Sequence, residues 1–445
     1  MRRLRLLPLI AATYFMVSGG PYGIEDAIGQ AGYAKTLLLL ILVPLFWSFP
    51  TALMVGELAS ALPEEGGFYV WVKRGLGPFW GFQEAWLSLA ASVFDMALYP
   101  ALTVSYLGQI APALTIGHRG VVWSLGIIVL CAVWNLQGAW SVGRGLEWFS
   151  VLLLLPFLAM IVLGVLHVFI HPHAAHEFST PVAGNVRTAL LVILWNYMGW
   201  DNASTIAREV DDPQRIYAPA VLATVLLVAA TYLASVAAVA TAGVPAVHFA
   251  TGDWVAAARL LGGGGMGSRL FGDAVVLGGA LTGIAMFNAL TLSYARVPAA
   301  MAKDGLLPKI LAKHSKRGVP FVAVLVCCLA WASVSGFNFD RLIELDILLY
   351  GLSLVLEFAA LIALRIRQPQ LPRPYRIPGG LAGAVVVSVA PVAIAGWALI
   401  AARDEQISLG VHKVPVLVFG AIVFVVGTAV YWPVRSRFKR AVTWQ

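Results

Sequence analysis

Apolar runs of about 18 residues or more recur along this chain, each long enough to cross a hydrocarbon core of roughly 30 Å at 1.5 Å per residue. A water-soluble surface cannot be built from such a chain. The residues AVILMFWYC make up 60% of its 445 positions and DEKR only 12%, against roughly a quarter charged residues in a soluble domain. With the bilayer as solvent, backbone polar groups must be satisfied within each segment, so the spans are helices. The expected spans are 7–30, 36–60, 79–110, 120–138, 146–170, 187–208, 217–241, 271–300, 319–336, 342–364, 380–402 and 412–433. The fold class is therefore an all-α, polytopic membrane protein of about twelve transmembrane helices.

The net charge of +8 reads as topology rather than nucleic-acid binding, because of where the charges sit. An even number of crossings puts both termini on one side. Of the 30 lysines and arginines, only Lys35, Arg119, Arg187, Arg259, Arg269, Arg341, Arg403 and Lys413 fall on the other side. The basic side, with both termini, is expected to be cytoplasmic, in a multi-pass protein of the cell inner membrane. Arg2-Arg3-Leu4-Arg5 opens a retained first helix rather than a signal peptide, since no convincing small-x-small cleavage site follows.

Cys131, Cys327 and Cys328 lie inside apolar spans without metal-ligand spacing, so neither disulfide nor zinc is indicated. No Gly-x4-Gly-Lys-Ser/Thr loop is present to power an ATPase. An intramembrane enzyme would need a nucleophile and base in one cavity, and a channel a repeated polar lining. Neither pattern is seen. His167, His171, His173 and His176 cluster around the outer end of the fifth helix, where only Glu177 could complete a metal set; a solvated loop is the plainer reading.

Two spans contain what membrane helices avoid. The first holds Ser18-Gly19-Gly20-Pro21-Tyr22-Gly23 and the sixth Asn196-Tyr197-Met198-Gly199-Trp200-Asp201-Asn202. Glycine costs a helix roughly 1 kcal/mol and proline roughly 3 kcal/mol relative to alanine, so these segments unwind. Unwound backbone at membrane depth survives only where protein, water or ligand satisfies it. The breaks occupy corresponding places in spans 1–5 and 6–10, the pattern of a carrier with inverted repeats and a midplane site. Freed N–H groups suit a carboxylate and freed carbonyls an ammonium. This divides the chain into a core over 1–364, with repeats 7–170 and 187–364, and a 365–445 segment of two peripheral helices and a basic tail. Residues 242–270 add a stretch from Trp254 to Leu261 and the run Gly262-Gly263-Gly264-Gly265, read as a lid or a surface loop.

Glu57-Leu58-Ala59-Ser60-Ala61-Leu62-Pro63-Glu64-Glu65-Gly66-Gly67-Phe68-Tyr69 resembles the second-helix signature of the amino acid–polyamine–organocation permeases. Ala300-Met301-Ala302-Lys303-Asp304-Gly305-Leu306-Leu307-Pro308 is similar to their eighth-helix exit motif, and Glu209-Val210 with Pro213 follows the sixth helix in the same way. The first break, Gly77-Pro78-Phe79-Trp80-Gly81-Phe82-Gln83, Leu356-Glu357-Phe358-Ala359-Ala360 and Arg373-Pro374-Tyr375-Arg376 most resemble the plant-type polyamine-uptake branch. The resemblance implies a LeuT-like fold of ten core helices plus two. It also implies that the backbone of Gly19, Gly20 and Gly23 takes a substrate carboxylate where there is one, and that Trp195 closes over the substrate.

Acids inside a bilayer are costly, by roughly 2.5–3.5 kcal/mol at the helix centre, and so are functional candidates. Glu25 and Asp26 follow the first break, Asp201 the sixth, and Asp95 shares a face of the third helix with Ser92 and Tyr99. The expected substrate site is Ser18, Gly19, Gly20, Tyr22, Gly23, Glu25, Asp95, Trp195, Asn196, Gly199 and Asp201. Glu25 or Asp95 would pair with an ammonium beside the aromatic faces of Trp195 and Tyr22; alternatively, one acid carries the coupling proton. Glu84 and Glu147 read as interfacial and Glu57 as scaffold. The expected function is uptake of an amino acid or polyamine, with amino acid exchange as the alternative. No cofactor is expected beyond a proton as coupling ion. The partners are a small amine and membrane lipid, with no nucleic acid.

Overall fold

The computed structural model describes residues 4–170, 178, 182–337, 339–404, 406–409 and 412–442. Each of the twelve expected spans is occupied by helix. Eight helices among the described residues are long and apolar enough to cross a membrane, and four shorter apolar ones accompany them.

Helix α1 (Leu6–Val17) stops at Ser18, whose backbone is extended. Residues 18–24 are non-helical, with Gly20 and Gly23 at φ 76° and 96°, a region closed to most side chains. Helix resumes as α2 (Glu25–Val43), turns at Gly32 and continues through a π turn at Pro44–Ser48 into α3 (Phe49–Ala61). A short α4 (Phe68–Leu76) leads into α5 (Pro78–Gly108), followed by α6 (Arg119–Asn135) and α7 (Ala139–Ile170).

The second half repeats the interruption. Helix α8 (Val186–Trp195) ends before the turn at 196–201, and its continuation, Asn202–Glu209, is 3₁₀ rather than the expected α-helix. Then come α9 (Pro213–Thr241), α10 (Trp254–Leu261), α11 (Gly265–Tyr294), α12 (Arg296–Lys303), α13 (Phe321–Ala332), α14 (Phe339–Arg367) and α15 (Gly380–Ala401). The last span starts later than expected, because Gln406–Leu409 and His412–Pro415 pair as an antiparallel hairpin. Helix α16 (Val416–Val442) then runs on through the stretch read as a basic tail.

Helices α5, α11 and α14 form the centre, with α5 packed on both others. Peripheral helices present large apolar side chains outward, among them Leu130 on α6, Leu155 on α7, Val386 on α15 and Val425 on α16. Apolar surface of this extent belongs against lipid.

His171, His173, His176 and Glu177 lie outside the described residues. Among the described residues, no group of three or more His, Cys, Asp or Glu is placed to hold a metal, and all three cysteines are free and buried.

Candidate substrate site

Backbone released by the two breaks is satisfied mostly from within. Ser18 Oγ accepts from Gly20 N at 3.0 Å, Gly19 O accepts from the Thr282 hydroxyl at 2.9 Å, and Gly23 O accepts from Asn196 Nδ2 at 3.0 Å. The last bond ties one break to the other. The Tyr232 hydroxyl lies 2.7 Å from Ser18 Oγ and 3.1 Å from Asn196 O, reaching both breaks as well. In the second break, Gly199 N donates to the Tyr350 hydroxyl at 3.1 Å, and that hydroxyl donates to Asp201 Oδ1 at 2.5 Å. Gly199 sits at φ 89°, and a Cβ there would come within 2.6 Å of Met16 O.

Between the breaks lies a cavity of about 20 Å³, room for a water or two. Asp95 and Tyr99 of α5, Trp195, Asn196, Gly199, and Asp346 and Tyr350 of α14 line it, together with Met16, Tyr294 and Asn202. Asp95 Oδ1 accepts from the Tyr99 hydroxyl at 2.6 Å and from Trp195 Nε1 at 3.3 Å. The Tyr99 and Trp195 rings stack with centroids 6.2 Å apart. Among the described residues, no lysine, arginine or histidine lines the cavity. It is a carboxylate-and-aromatic chamber.

Of the expected site, Asp95, Trp195, Asn196 and Gly199 share the cavity wall. Asp201 stands one hydroxyl behind it. Ser18, Gly19, Gly20, Tyr22, Gly23 and Glu25 are not part of the cavity wall, although Gly23 lies directly against Trp195 and Asn196. Glu25 is fully buried and its carboxylate is already served: Oε2 by Gly23 N at 2.6 Å, Oε1 by the Tyr106 hydroxyl and by Gly252 N at 3.3 Å. Tyr22 donates to Val275 O at 2.7 Å. Asp346, Tyr294, Tyr350 and Asn202 were missed by the sequence reading. The signal for Asp346 was present, since it is an acid within an apolar span, as Asp95 is.

Both approaches to the cavity are shut. On the side away from the basic face, Trp254 Nε1 of α10 donates to Pro21 O at 2.8 Å, and Thr251 donates to Asp26 through its amide at 3.1 Å and its hydroxyl at 2.7 Å. The 242–270 segment is thus bonded to the first break and to the start of α2. On the basic face, Leu4 N donates to Glu209 O at 2.7 Å and Asp211 N to Leu4 O at 2.8 Å, so Leu4, just ahead of α1, is strapped across the exit of the second break. Arg296 binds Glu209. Glu65 holds Lys303, Arg208 at 3.5 Å and His314 at 3.3 Å. A vestibule of about 1020 Å³ lies below these pairs. Burial pushes the Glu65 carboxyl up, but the bond and charge of Lys303, the charge of Arg296 and the His314 contact together bring it below the usual range.

Glu57 is buried between Arg365 and Arg373 as scaffold, and Glu147 is exposed. Glu84 is not interfacial: it is 0% exposed, roofed because α16 packs along the start of α5, where Gln83 donates to Thr428 at 2.6 Å.

Two interrupted helices around a small acidic chamber, sealed on both faces, define a membrane carrier rather than an enzyme or a pore. Residues 10–431 match the family described as amino acid permease, and the chain belongs to that family. It is 33% identical to a polyamine transporter of Oryza sativa subsp. japonica, over 95% of this chain and 76% of that one. It is 35% identical to a probable polyamine transporter of Arabidopsis thaliana, over 87% of this chain and 80% of the relative. A serine/threonine exchanger of Bacillus subtilis is 25% identical over 83% of each. The protein is a transporter of amino acids or polyamines.

Proposed function

We propose that the protein imports a polyamine together with a proton, by alternating access across the inner membrane, with both termini cytoplasmic. The observation that carries the choice of cargo is the pairing of Asp95 and Asp346 in a chamber lined by no cationic side chain. An ammonium held there meets two carboxylates from facing helices and the ring faces of Trp195 and Tyr99. A substrate carboxylate would find less. Of the N–H groups of Gly19, Gly20 and Gly23 that could receive it, those of Gly20 and Gly23 are taken by Ser18 Oγ and by Glu25.

The relatives named as polyamine transporters support this cargo, and the two matched breaks support inverted repeats at 7–170 and 187–364. The distribution of lysine and arginine supports cytoplasmic termini. A cavity of about 20 Å³ is smaller than a diamine, so loading requires its walls to part, as alternating access provides.

The test is uptake into proteoliposomes of labelled putrescine, spermidine, arginine and a neutral amino acid, with and without an inward proton gradient. Gradient-driven entry of the two amines alone is the expected result. Entry of only the neutral amino acid would overturn the polyamine reading. Counterflow of amino acids with no response to a gradient would make the protein an exchanger, the activity named for its Bacillus subtilis relative.

A further inference from the structure

Helices α5 and α14 carry a second pair of acids nearer the basic face. The end of α4, which leads straight into α5, meets the end of α14 there: Arg367 donates to Gly75 O at 2.9 Å and Arg74 to Gln368 at 3.1 Å. The two helices therefore run antiparallel. Glu84 precedes Asp95 by eleven residues on α5, and Glu357 follows Asp346 by eleven on α14. Eleven residues rise about 16 Å and make close to three full turns, so each helix shows both its acids on one face. Asp95 and Asp346 line the substrate cavity. Glu84 and Glu357 form a separate tier outside it.

That tier is buried and incompletely bonded. Both glutamates are 0% exposed. Ser88 donates to Glu84 Oε1 at 2.8 Å, whereas Glu84 Oε2 and both oxygens of Glu357 have no hydrogen-bond partner among the described residues. Glu357 feels the charges of Asp201 and Glu84. The other titratable groups facing the tier are Tyr350 on α14 itself and Tyr69 on α4, with Tyr431 of α16 beside Tyr69; α15 carries none. Neighbouring cations are engaged elsewhere, Lys73 with Asp304, and Arg365 and Arg373 with Glu57. An ionised carboxylate without donor or cation is very costly in such a place, whereas a carboxylic acid is far less so. A site that gains and loses a proton fits both the burial and the orphaned oxygens.

We propose that Glu84 and Glu357 are the coupling site, holding between them the proton that travels with each substrate, with Asp201 and Tyr350 as the link to the cavity. This rests on the proton-coupled reading above. The proton is taken from water on one face and returned to water on the other, and no covalent bond to substrate forms. Asp201 is placed for the linking role, since it accepts from Tyr350, which lies four residues from Asp346 and seven from Glu357 on α14.

The experiment uses wild type, Glu84→Gln and Glu357→Gln in proteoliposomes at clamped membrane potential. A gradient of about one pH unit sustains roughly tenfold accumulation per coupled proton. Wild type is expected to reach it, while each variant keeps counterflow of labelled spermidine and putrescine and falls to an accumulation ratio near one. The infrared carbonyl band of a protonated carboxyl, lost on alkalinisation in wild type, should diminish in Glu357→Gln; this difference reads the site even where one variant inserts poorly. Variants that accumulate as wild type does overturn the inference alone. Variants that stay coupled but lose spermidine counterflow overturn it in favour of a seat for a distal amine. Wild type with counterflow but no gradient-driven accumulation overturns the coupling reading and the inference with it.

Discussion

The amide of Gly23 donates to the carboxylate of Glu25 two residues on, at 2.6 Å, so the chain's own acid occupies a backbone donor that the first break exposes. Glu25 also receives Tyr106 from α5 and Gly252 from the loop before α10. One carboxylate thus fastens the break to the central helix and to the outer lid. It does so at the start of α2, where a negative charge is favoured by the helix dipole.

Removing that carboxylate should change what the protein accepts. Glu25→Ala frees the Gly23 N–H to receive a carboxylate from a ligand. Ornithine, which is putrescine with a carboxylate added, should then compete against labelled putrescine roughly tenfold better relative to wild type, the scale of one charge-assisted hydrogen bond. An unchanged ornithine-to-putrescine ratio in a variant that still transports would show that Glu25 does not set this preference.

Asp95 and Asp346 should each be needed for amine binding. Truncating one partner of a buried, hydrogen-bonded charge pair costs roughly 2–5 kcal/mol, so Asp95→Asn and Asp346→Asn should each raise the KM for putrescine roughly thirtyfold or more. Initial rates of uptake measure this. An unaltered KM in Asp346→Asn would remove α14 from the site.

What the sequence made legible follows from which signals are local. The breaks could be read because Gly19, Gly20, Pro21 and Gly23, and then Gly199, disfavour helix wherever they fall, and the structure has non-helical backbone at both. Asp95 could be read because Tyr99 lies one turn away on the same helix, and its hydroxyl does reach the carboxylate. The cover over Glu84 could not be read. It depends on Gln83 meeting Thr428, 345 positions further on, and distance from a helix end says nothing of that. Glu25 was placed correctly beside the break, but its donors arrive from Tyr106 and Gly252, which only the folded chain brings together.

The Glu57 pairings should matter for stability rather than for transport specificity. Glu57 on α3 holds Arg365 at the end of α14 and Arg373 beyond it, and its Oε2 also accepts from Ile377 N at 2.8 Å. Glu57→Ala leaves two guanidinium groups without their carboxylate and should destabilise the fold by roughly 3–5 kcal/mol. Thermal melting in detergent would register the loss. A melting temperature equal to wild type would show the pairings to be dispensable.

The inner closure should loosen when its ion pair is cut. Leu4, Glu209 and Asp211 are held together by backbone bonds, but the side-chain lock is Arg296 on Glu209. Arg296→Ala should shift the balance towards a state open on the basic face by at least roughly fivefold, the effect of about 1 kcal/mol. Labelling of a Thr205→Cys reporter by a membrane-impermeant thiol reagent applied to the basic face would speed up accordingly. The native cysteines are buried and should give little background. Equal labelling rates with and without Arg296 would place the lock elsewhere.

Glu65 should make this same face sensitive to acid but not to the ordinary range of pH. Burial opposes its ionisation, but Lys303, Arg296 and His314 outweigh that and lower its pKa below the ordinary carboxylate value. For a group whose folded-state pKa is depressed, the stabilising contribution is complete above the unfolded value, about 4.3 for a glutamate. It is lost as pH falls through the lower, folded value. The difference in melting temperature between wild type and Glu65→Gln should therefore stay constant from about pH 8 to about pH 5 and shrink only in stronger acid. A difference that vanished between pH 7 and 6 would show that ionised Glu65 is not what holds the cluster together.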